Sequence, residues 1–348
     1  LSHTDELWVV LCARAGAVAP FRTMTTKQPK VLIVNAARVD FDKSISLTKL
    51  SAIAEVSAFD ERTPAEADSR ERIAAARPTV IVTKEIPVGR ELIESFPESV
   101  KLICEAGTGF NNIDLDAARG KGITVCNVAG YSTDSVATLV ITMVLSFSSS
   151  LVSQQRMLAL GDRSNFPTMP LPHFEVGGKT LGLVGGAGAI GSRVAAIAQA
   201  LGMHVLVSSR SPRSDAPYEM VGDVGELLER SDFVSLHCPL TPRTRGMIDA
   251  KALKRCKPTA YIINTARGAI INEADLVAAL QSGTIAGAAL DVQETEPPPP
   301  DSPLYTLPNC VLTPHIGWQR VETRQRLMDL IADNVSAFLS GRPVNVVS

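Results

Sequence analysis

The sequence lacks several features that would each mark a class of protein. It has no excess of charge: 34 Lys and Arg stand against 36 Asp and Glu in 348 residues. That balance leaves no basic footprint for nucleic acid and no polybasic patch for a membrane surface. It has no long apolar run. The most apolar window, "VATLVITMVLSF" at 136–147, carries Thr and Ser, falls short of the roughly 18 residues a spanning helix requires, and reads as a buried helix. Its six cysteines stand singly at 12, 104, 126, 238, 256 and 310. With no C-x-x-C pair and no His at ligand spacing, no metal site is expected, and they read as reduced core thiols of an intracellular protein. No repeat of solenoid period is present, and the one low-complexity piece, Pro297–Pro300, is a stiff extended segment.

What remains is a soluble globular composition, 45% hydrophobic and 20% charged, long enough for about two domains with proper cores. Residues 1–29 do not resemble the rest, and the chain begins with Leu. "ELWVVLCARAGAVAPF" has a signal-like apolar run, but Asp5 and Glu6 precede it where a signal peptide carries positive charge. This stretch is expected to be a disordered extension, cleaved or non-native, with Met24 as a natural start. A transit peptide is the second reading, so the expected location is cytoplasmic with organellar import left open.

From "VLIVNA" at 31–36 to "ITVCNV" at 123–128, strand-like and helix-like segments alternate, which argues for a parallel sheet covered on both faces. A second series runs through "KTLGLVGG", "HVLVSS", "DFVSLHCPL", "AYIINTA", "AGAALDV" and "CVLTPHI". The expected fold is therefore α/β, two doubly wound parallel-sheet domains in succession. A helix from about Thr133, with Val136, Leu139, Val140, Met143 and Phe147 at three- and four-residue spacing, lies between them. Another, with Leu327, Ile331, Val335 and Phe338, closes the chain. If it packs back on the first unit, the chain crosses between domains twice and a cleft lies beside the crossings.

"LGLVGGAGAIGSRVAAIAQALG" places Gly186, Gly188 and Gly191 in a G-x-G-x-x-G pattern directly after a strand and directly before a helix. In that setting the pattern is strong: the backbone can turn tightly and bring a pyrophosphate to amides at a helix N-terminus. Eighteen residues beyond Gly191 stands Ser209, near where a carboxylate would hold the adenosine ribose of NAD. Ser209 cannot repel a 2′-phosphate, and Arg210 and Arg213 could bind one, so NADP(H) is preferred over NAD(H), which stays possible. Both arginines can also be read as solvated loop residues.

Three further segments end on predicted strands, where open α/β sheets hold their ligands: "INTARG" (263–268), "ALDVQETEPPP" (289–299) and "LTPHIGW" (312–318). Reduction of a 2-oxo acid needs a cation for the carboxylate and developing oxyanion, an acid to protonate that oxygen, and an anion to hold the acid. Arg267, His315 and Glu296 fit those roles in that order.

With "EAGTGFNNIDLDAA", "VCNVAGYSTDSVA", "SDFVSLHCPLTPRTRGMID" and the ending "GRPVNVV" added to these motifs, the chain from about Lys30 to Val347 resembles the D-isomer-specific 2-hydroxyacid dehydrogenases. It is most similar to their glycerate dehydrogenase (hydroxypyruvate reductase) branch. The resemblance implies Arg267 as the substrate-binding arginine, Glu296 as the acidic partner (Glu294 is two residues off register) and His315 as the acid/base. It implies substrate contacts at Ala106, Gly107, Thr108 and Gly109, and cofactor contacts at Ala189, Ile190, His237, Pro239, Thr244, Thr265, Ala266, Asp291, His315 and Gly317. Trp318 is expected to wall a pocket for a short side chain, or else to pack in an interface. The implied architecture is a Rossmann-type NAD(P)-binding domain, 128–315, inserted in a flavodoxin-like substrate domain of 30–127 and 316–348, in a homodimer.

Three departures stand out. The glycine turn is one residue longer than usual, Thr138-Leu139 stand where many relatives have an acid or amide followed by His, and Ser209-Arg210 replace the usual acidic residue. The expected activity is NAD(P)H-dependent reduction of a small 2-oxo acid to a D-2-hydroxy acid, hydroxypyruvate to D-glycerate first and glyoxylate second. Lactate, phosphoglycerate or phosphite dehydrogenation, or a dinucleotide-sensing corepressor, are the alternatives.

Overall fold

The computed structural model describes residues 28–210 and 216–348. The expectations for Met24, nearly all of the N-terminal extension and Arg213 lie outside the described residues. Strands β1 (Lys30–Ile33), β2 (Glu55–Ala58), β3 (Val80–Thr83), β4 (Leu102–Glu105) and β5 (Thr124–Cys126) form one sheet, order β2-β1-β3-β4-β5. Strands β6 (Thr180–Val184), β7 (His204–Ser208), β8 (Glu219–Met220), β9 (Phe233–Leu236), β10 (Tyr261–Asn264), β11 (Gly287–Leu290) and β12 (Cys310–Leu312) form a second, order β12-β11-β10-β9-β6-β7-β8. Every pairing within both sheets is parallel. In each sheet the chain winds first one way and then the other, and in the second it reverses between β6 and β9. That reversal opens the crevice at the carboxyl ends where such sheets bind ligands.

The sequence pattern explains the layering. "VIVT", "LICE", "FVSL", "YIIN" and "GAAL" are buried at all four positions, as strands covered by helices on both faces must be. Glu105 and Asn264 are polar exceptions at carboxyl ends, and both serve the cleft. Helix Thr133–Ser148 packs Ala137, Val140 and Val144 against Leu181 and Leu183 of β6. The closing helix, Val321–Leu339, returns to the first sheet, where Leu327, Ile331 and Val335, all at 0% exposure, meet Val31, Val80 and Leu102. Full burial of such a side chain is worth about 1.5–3 kcal/mol, so these three alone anchor the return by some 5–9 kcal/mol.

The two crossings are tied together. Arg320 donates through Nη1 to Ser135 O (2.6 Å) and Ser135 Oγ (2.9 Å), and Arg326 donates to Tyr131 O (2.7 Å). Two elements carried no signal readable in the sequence: the two-residue β8, and helix Leu151–Ala159, which buries no residue fully.

Candidate active site

In the loop after β4, two carbonyls are taken and three successive amides are free. Gly107 O accepts from Val128 N (2.9 Å) and Thr108 O from Asn127 Nδ2 (2.7 Å), while Ala106 N donates to Thr83 O (2.7 Å). Among the described residues, the amides of Gly107, Thr108 and Gly109 donate no hydrogen bond within the protein. Onto this loop reaches Arg267 from the other sheet. Asn264, buried at the end of β10, sets that backbone by donating to Arg267 O (2.9 Å) and accepting from Ala266 N (3.0 Å). The guanidinium donates to Ala266 O (2.7 Å) and lies so close to Gly109 that a Cβ there would stand 1.7 Å from Nη2. A cation and three free amides therefore share one spot between the sheets, an arrangement suited to a carboxylate.

Beside it, His315 Nδ1 stands 2.8 Å from Glu296 Oε2, and Glu296 Oε1 accepts from Gln293 N (3.1 Å). Glu294 lines the same cavity, but the His315 ring pairs with Glu296. With Nδ1 occupied, Nε2 is the ring atom left for a ligand. His315 itself is left-handed, φ 53°, a conformation that costs a non-glycine residue about 1–2 kcal/mol. Asp291 holds it there: Oδ1 accepts from Thr313 Oγ1 (2.6 Å) and Ile316 N (2.8 Å), Oδ2 from Gly317 N (2.9 Å). Burial pushes the Asp291 carboxyl up from its ordinary range while these bonds pull it down.

The glycine-rich turn begins with Gly185, directly after β6. That glycine adopts φ 79°, donates to Ser208 O (2.7 Å), and leaves Gly188 as N-cap of helix Ala189–Ala200. Gly191 lies on Gly186 so closely that a Cβ would meet its Cα at 2.4 Å. Among the described residues, the amides of Gly188, Ala189, Ile190 and Gly191 donate to nothing in the protein. Ser209 and the exposed Arg210 follow β7 directly. Burial raises the Cys238 thiol, and Arg210 is near enough to pull it the other way. Thr244 closes its own turn through Oγ1 to Pro239 O (2.7 Å).

Residues 141–317 match the model of the D-isomer specific 2-hydroxyacid dehydrogenase, NAD binding domain. A hydroxypyruvate reductase of Blautia hydrogenotrophica is 38% identical over 274 residues, covering 77% of this chain and 84% of that one. The chain belongs to the D-isomer specific 2-hydroxyacid dehydrogenase family. Among further members, a glycerate dehydrogenase of Methylorubrum extorquens is 38% identical over 80% of this chain and 87% of its own. An NADPH-dependent glyoxylate/hydroxypyruvate reductase of Sinorhizobium meliloti, solved with NADP and malonate, superposes with a TM-score of 0.78 at 30% identity, covering 92% of this chain and 97% of that one. The protein is thus an NAD(P)-dependent oxidoreductase, and its family acts on small 2-oxo and 2-hydroxy acids.

The residues present fit the family's dinucleotide. Besides the free amides at the helix start, His237 Nε2 and Thr265 Oγ1 are buried without a hydrogen-bond partner, each one residue past the end of β9 or β10. A buried polar atom left unpaired costs about 1–3 kcal/mol, and a ligand lying along these strand ends offers it a partner. Burial drives the His237 imidazole down to about 4, so it is neutral at pH 7.

The cavity at this crevice, about 860 Å³, is lined from both sheets by Gly109, Arg267, Glu296 and His315, and also by Arg38, Lys84 and Glu85. Sequence reasoning passed over those last three. One placement is a correction. Trp318 does not wall the cleft: it is 3% exposed, in the core under the first sheet, with its ring 4.1 Å from Lys84 Nζ. The closing helix returns to that sheet only three residues later, and this draws the indole inward.

Proposed function

We propose that the protein reduces hydroxypyruvate to D-glycerate and glyoxylate to glycolate, with NADPH preferred to NADH. The observation that carries this reading is the meeting of Arg267, the free amides of 107–109 and the His315–Glu296 pair on one cavity. The names of the curated relatives, a hydroxypyruvate reductase and a glycerate dehydrogenase, support the choice of substrate.

In this mechanism Gly107, Thr108 and Gly109 donate to the substrate carboxylate, with Arg267 beside them fixing the plane of the acid. His315 donates a proton from Nε2 to the 2-oxo oxygen as that oxygen gains charge, and Arg267 steadies the developing oxyanion. Glu296 orients the ring and balances the charge of its doubly protonated form. When bound along the free amides of 188–191, a nicotinamide dinucleotide would supply the hydride that C2 receives. The products are the 2-hydroxy acid and the oxidised dinucleotide, and in the reverse direction His315 accepts the proton.

For the cofactor, Arg210 is the cation available to a 2′-phosphate, and the absence of a carboxylate at Ser209 removes the usual barrier to one. The test is the initial rate of hydroxypyruvate reduction with each cofactor side by side, in wild type and Arg210→Asp. A tenfold or greater NADPH preference that collapses in the variant is expected. An NADH preference in the wild type would refute the cofactor assignment and leave the reductase reading standing.

A further inference from the structure

The floor of the cavity on the first sheet carries an ion cluster that neither the carboxylate site nor the proton donor uses. Two residues past the end of β3, Glu85 adopts a left-handed backbone, φ 58°. For a non-glycine residue such a conformation persists only where its surroundings over-determine it. Here they do. Asn35, 1% exposed, accepts from Lys84 N (3.0 Å) and donates to Lys84 O (2.8 Å), and Glu85 N donates to Glu105 Oε1 (3.0 Å). Glu105 is itself fully buried and further fixed by Thr83 Oγ1 (2.8 Å) and Asn112 Nδ2 (3.1 Å).

The strain aims one carboxylate at the cleft. Its Oε2 accepts from Arg38 Nε (3.1 Å) and Nη2 (2.7 Å), and its Oε1 takes the buried Lys84 ammonium, which rests on Trp318. An ionised carboxylate has about four acceptor positions. Three are filled, and one on Oε1 is open. The side chain stays 28% exposed and lines the same cavity as His315 and Arg267. Although burial opposes ionisation, Lys84, His315 and Arg38 hold Glu85 down to about 2. It is therefore an acceptor at any working pH, and it offers no proton.

We propose that Glu85 determines specificity, its open carboxylate position accepting a hydroxyl on the carbon next to the 2-oxo group. The inference rests on the reductase reading and narrows the substrate class: 2-oxo acids with a hydroxyl-bearing tail are selected over those with an alkyl tail. A site built to bond a hydroxyl rejects the analogue lacking it far more strongly than an apolar pocket could, because the acceptor is left unpaired. A second anion at the end of the tail is disfavoured by the same carboxylate. Arg38 and Lys84 set Glu85 in place and are positioning residues.

The experiment compares kcat/KM for hydroxypyruvate, pyruvate, glyoxylate and 2-oxoglutarate in the wild type, Glu85→Gln, and a Lys84→Met/Glu85→Leu double variant that leaves no buried ammonium unpaired. We expect the wild type to favour hydroxypyruvate over pyruvate by about 1,000-fold or more, beyond the roughly 10–200-fold an apolar pocket reaches, and this ratio to fall at least tenfold in both variants. Glyoxylate, which has no tail carbon, should lose only a few-fold, and 2-oxoglutarate should gain. A ratio unchanged in active variants would overturn the assignment, and so would a wild type that prefers 2-oxoglutarate, which would make Arg38 the tail-binding group. A wild type inert toward all four acids would instead sink the reductase reading, and this inference with it.

Discussion

Gly109→Ala separates the function of Arg267 from the stability of the fold. A Cβ at 109 would stand 1.7 Å from Arg267 Nη2 and 2.9 Å from its central carbon, where ordinary contact begins near 3.4 Å. The guanidinium must therefore retreat by about 1.7 Å from the three free amides. Displacements of about 1 Å in a substrate-positioning group cost on the order of 100-fold, so kcat/KM for hydroxypyruvate should fall by roughly 100- to 1,000-fold. Stability should not follow. The obstructing atoms are the far end of a flexible side chain, and replacing Gly by Ala narrows the unfolded ensemble by about 0.4–1 kcal/mol. Gly268→Ala supplies the contrast, because there the Cβ meets the Gln293 carbonyl carbon and oxygen at 1.9 Å, which is backbone that cannot step aside. The assay pairs kcat/KM with thermal unfolding. Gly109→Ala should show that loss of kcat/KM at near wild-type Tm, and Gly268→Ala should lose Tm. In an Arg267→Lys background the added cost of Gly109→Ala should largely vanish, since the two act on one contact. A Gly109→Ala enzyme within threefold of wild type would refute the argument that Arg267 works from this position.

Two further outcomes follow from the same geometry. His315→Gln keeps the ring-bearing loop clamped by Asp291 but removes the proton donor, so kcat should drop about 100- to 10,000-fold with NADPH affinity, read by fluorescence titration, within a few-fold; near-normal turnover would dismiss the acid/base assignment. His237 has its folded value lowered by burial from 6.5 to about 4, so below pH 6.5 the unfolded chain binds a proton that the folded one refuses. Its contribution to stability is complete above pH 6.5 and is lost as pH falls towards 4, by roughly 2–3 kcal/mol. In urea unfolding at pH 7 and pH 4.5, the wild type should therefore lose that much more than His237→Leu, and equal losses in the two proteins would refute it.

The cofactor crevice was legible because its signals are local. A glycine turn between an apolar run and a helix means the same thing wherever the chain goes next, and Arg267, Glu296 and His315 each follow an apolar run that pairs as a parallel strand. The Thr133 and Leu327 stripes announce their helices by spacing alone. What could not be read depends on which sheet a residue meets. "VTKEIPV" shows a Lys and a Glu that pass for solvated charges, and nothing in it says that Lys84 is 2% exposed, that Glu85 is left-handed or that Arg38 reaches Glu85 from 47 positions upstream. Trp318 was misplaced for the same reason. Asp291 was noticed as a cofactor contact. Its three bonds to the His315 loop were invisible, since their donors are mostly backbone amides.

Those bonds expose a parallel between the two halves of the cleft. On each side a buried acid pins a left-handed residue, and that residue turns a polar group to the shared cavity: Asp291 pins the loop of His315, Glu105 pins Glu85. Burial pushes both acids up from their ordinary range, so neither is an inexpensive support. Each nonetheless takes three donors that an alkyl side chain would leave unpaired, at about 1–3 kcal/mol apiece. The arrangement makes sense because the two groups being aimed stand on different sheets, joined only by two crossings. A flexible loop on either side would let the proton donor and the tail acceptor drift apart, whereas a strained residue locked from behind keeps its direction. The strain is a local cost of about 1–2 kcal/mol at each site, and what it secures is a fixed line between the two groups.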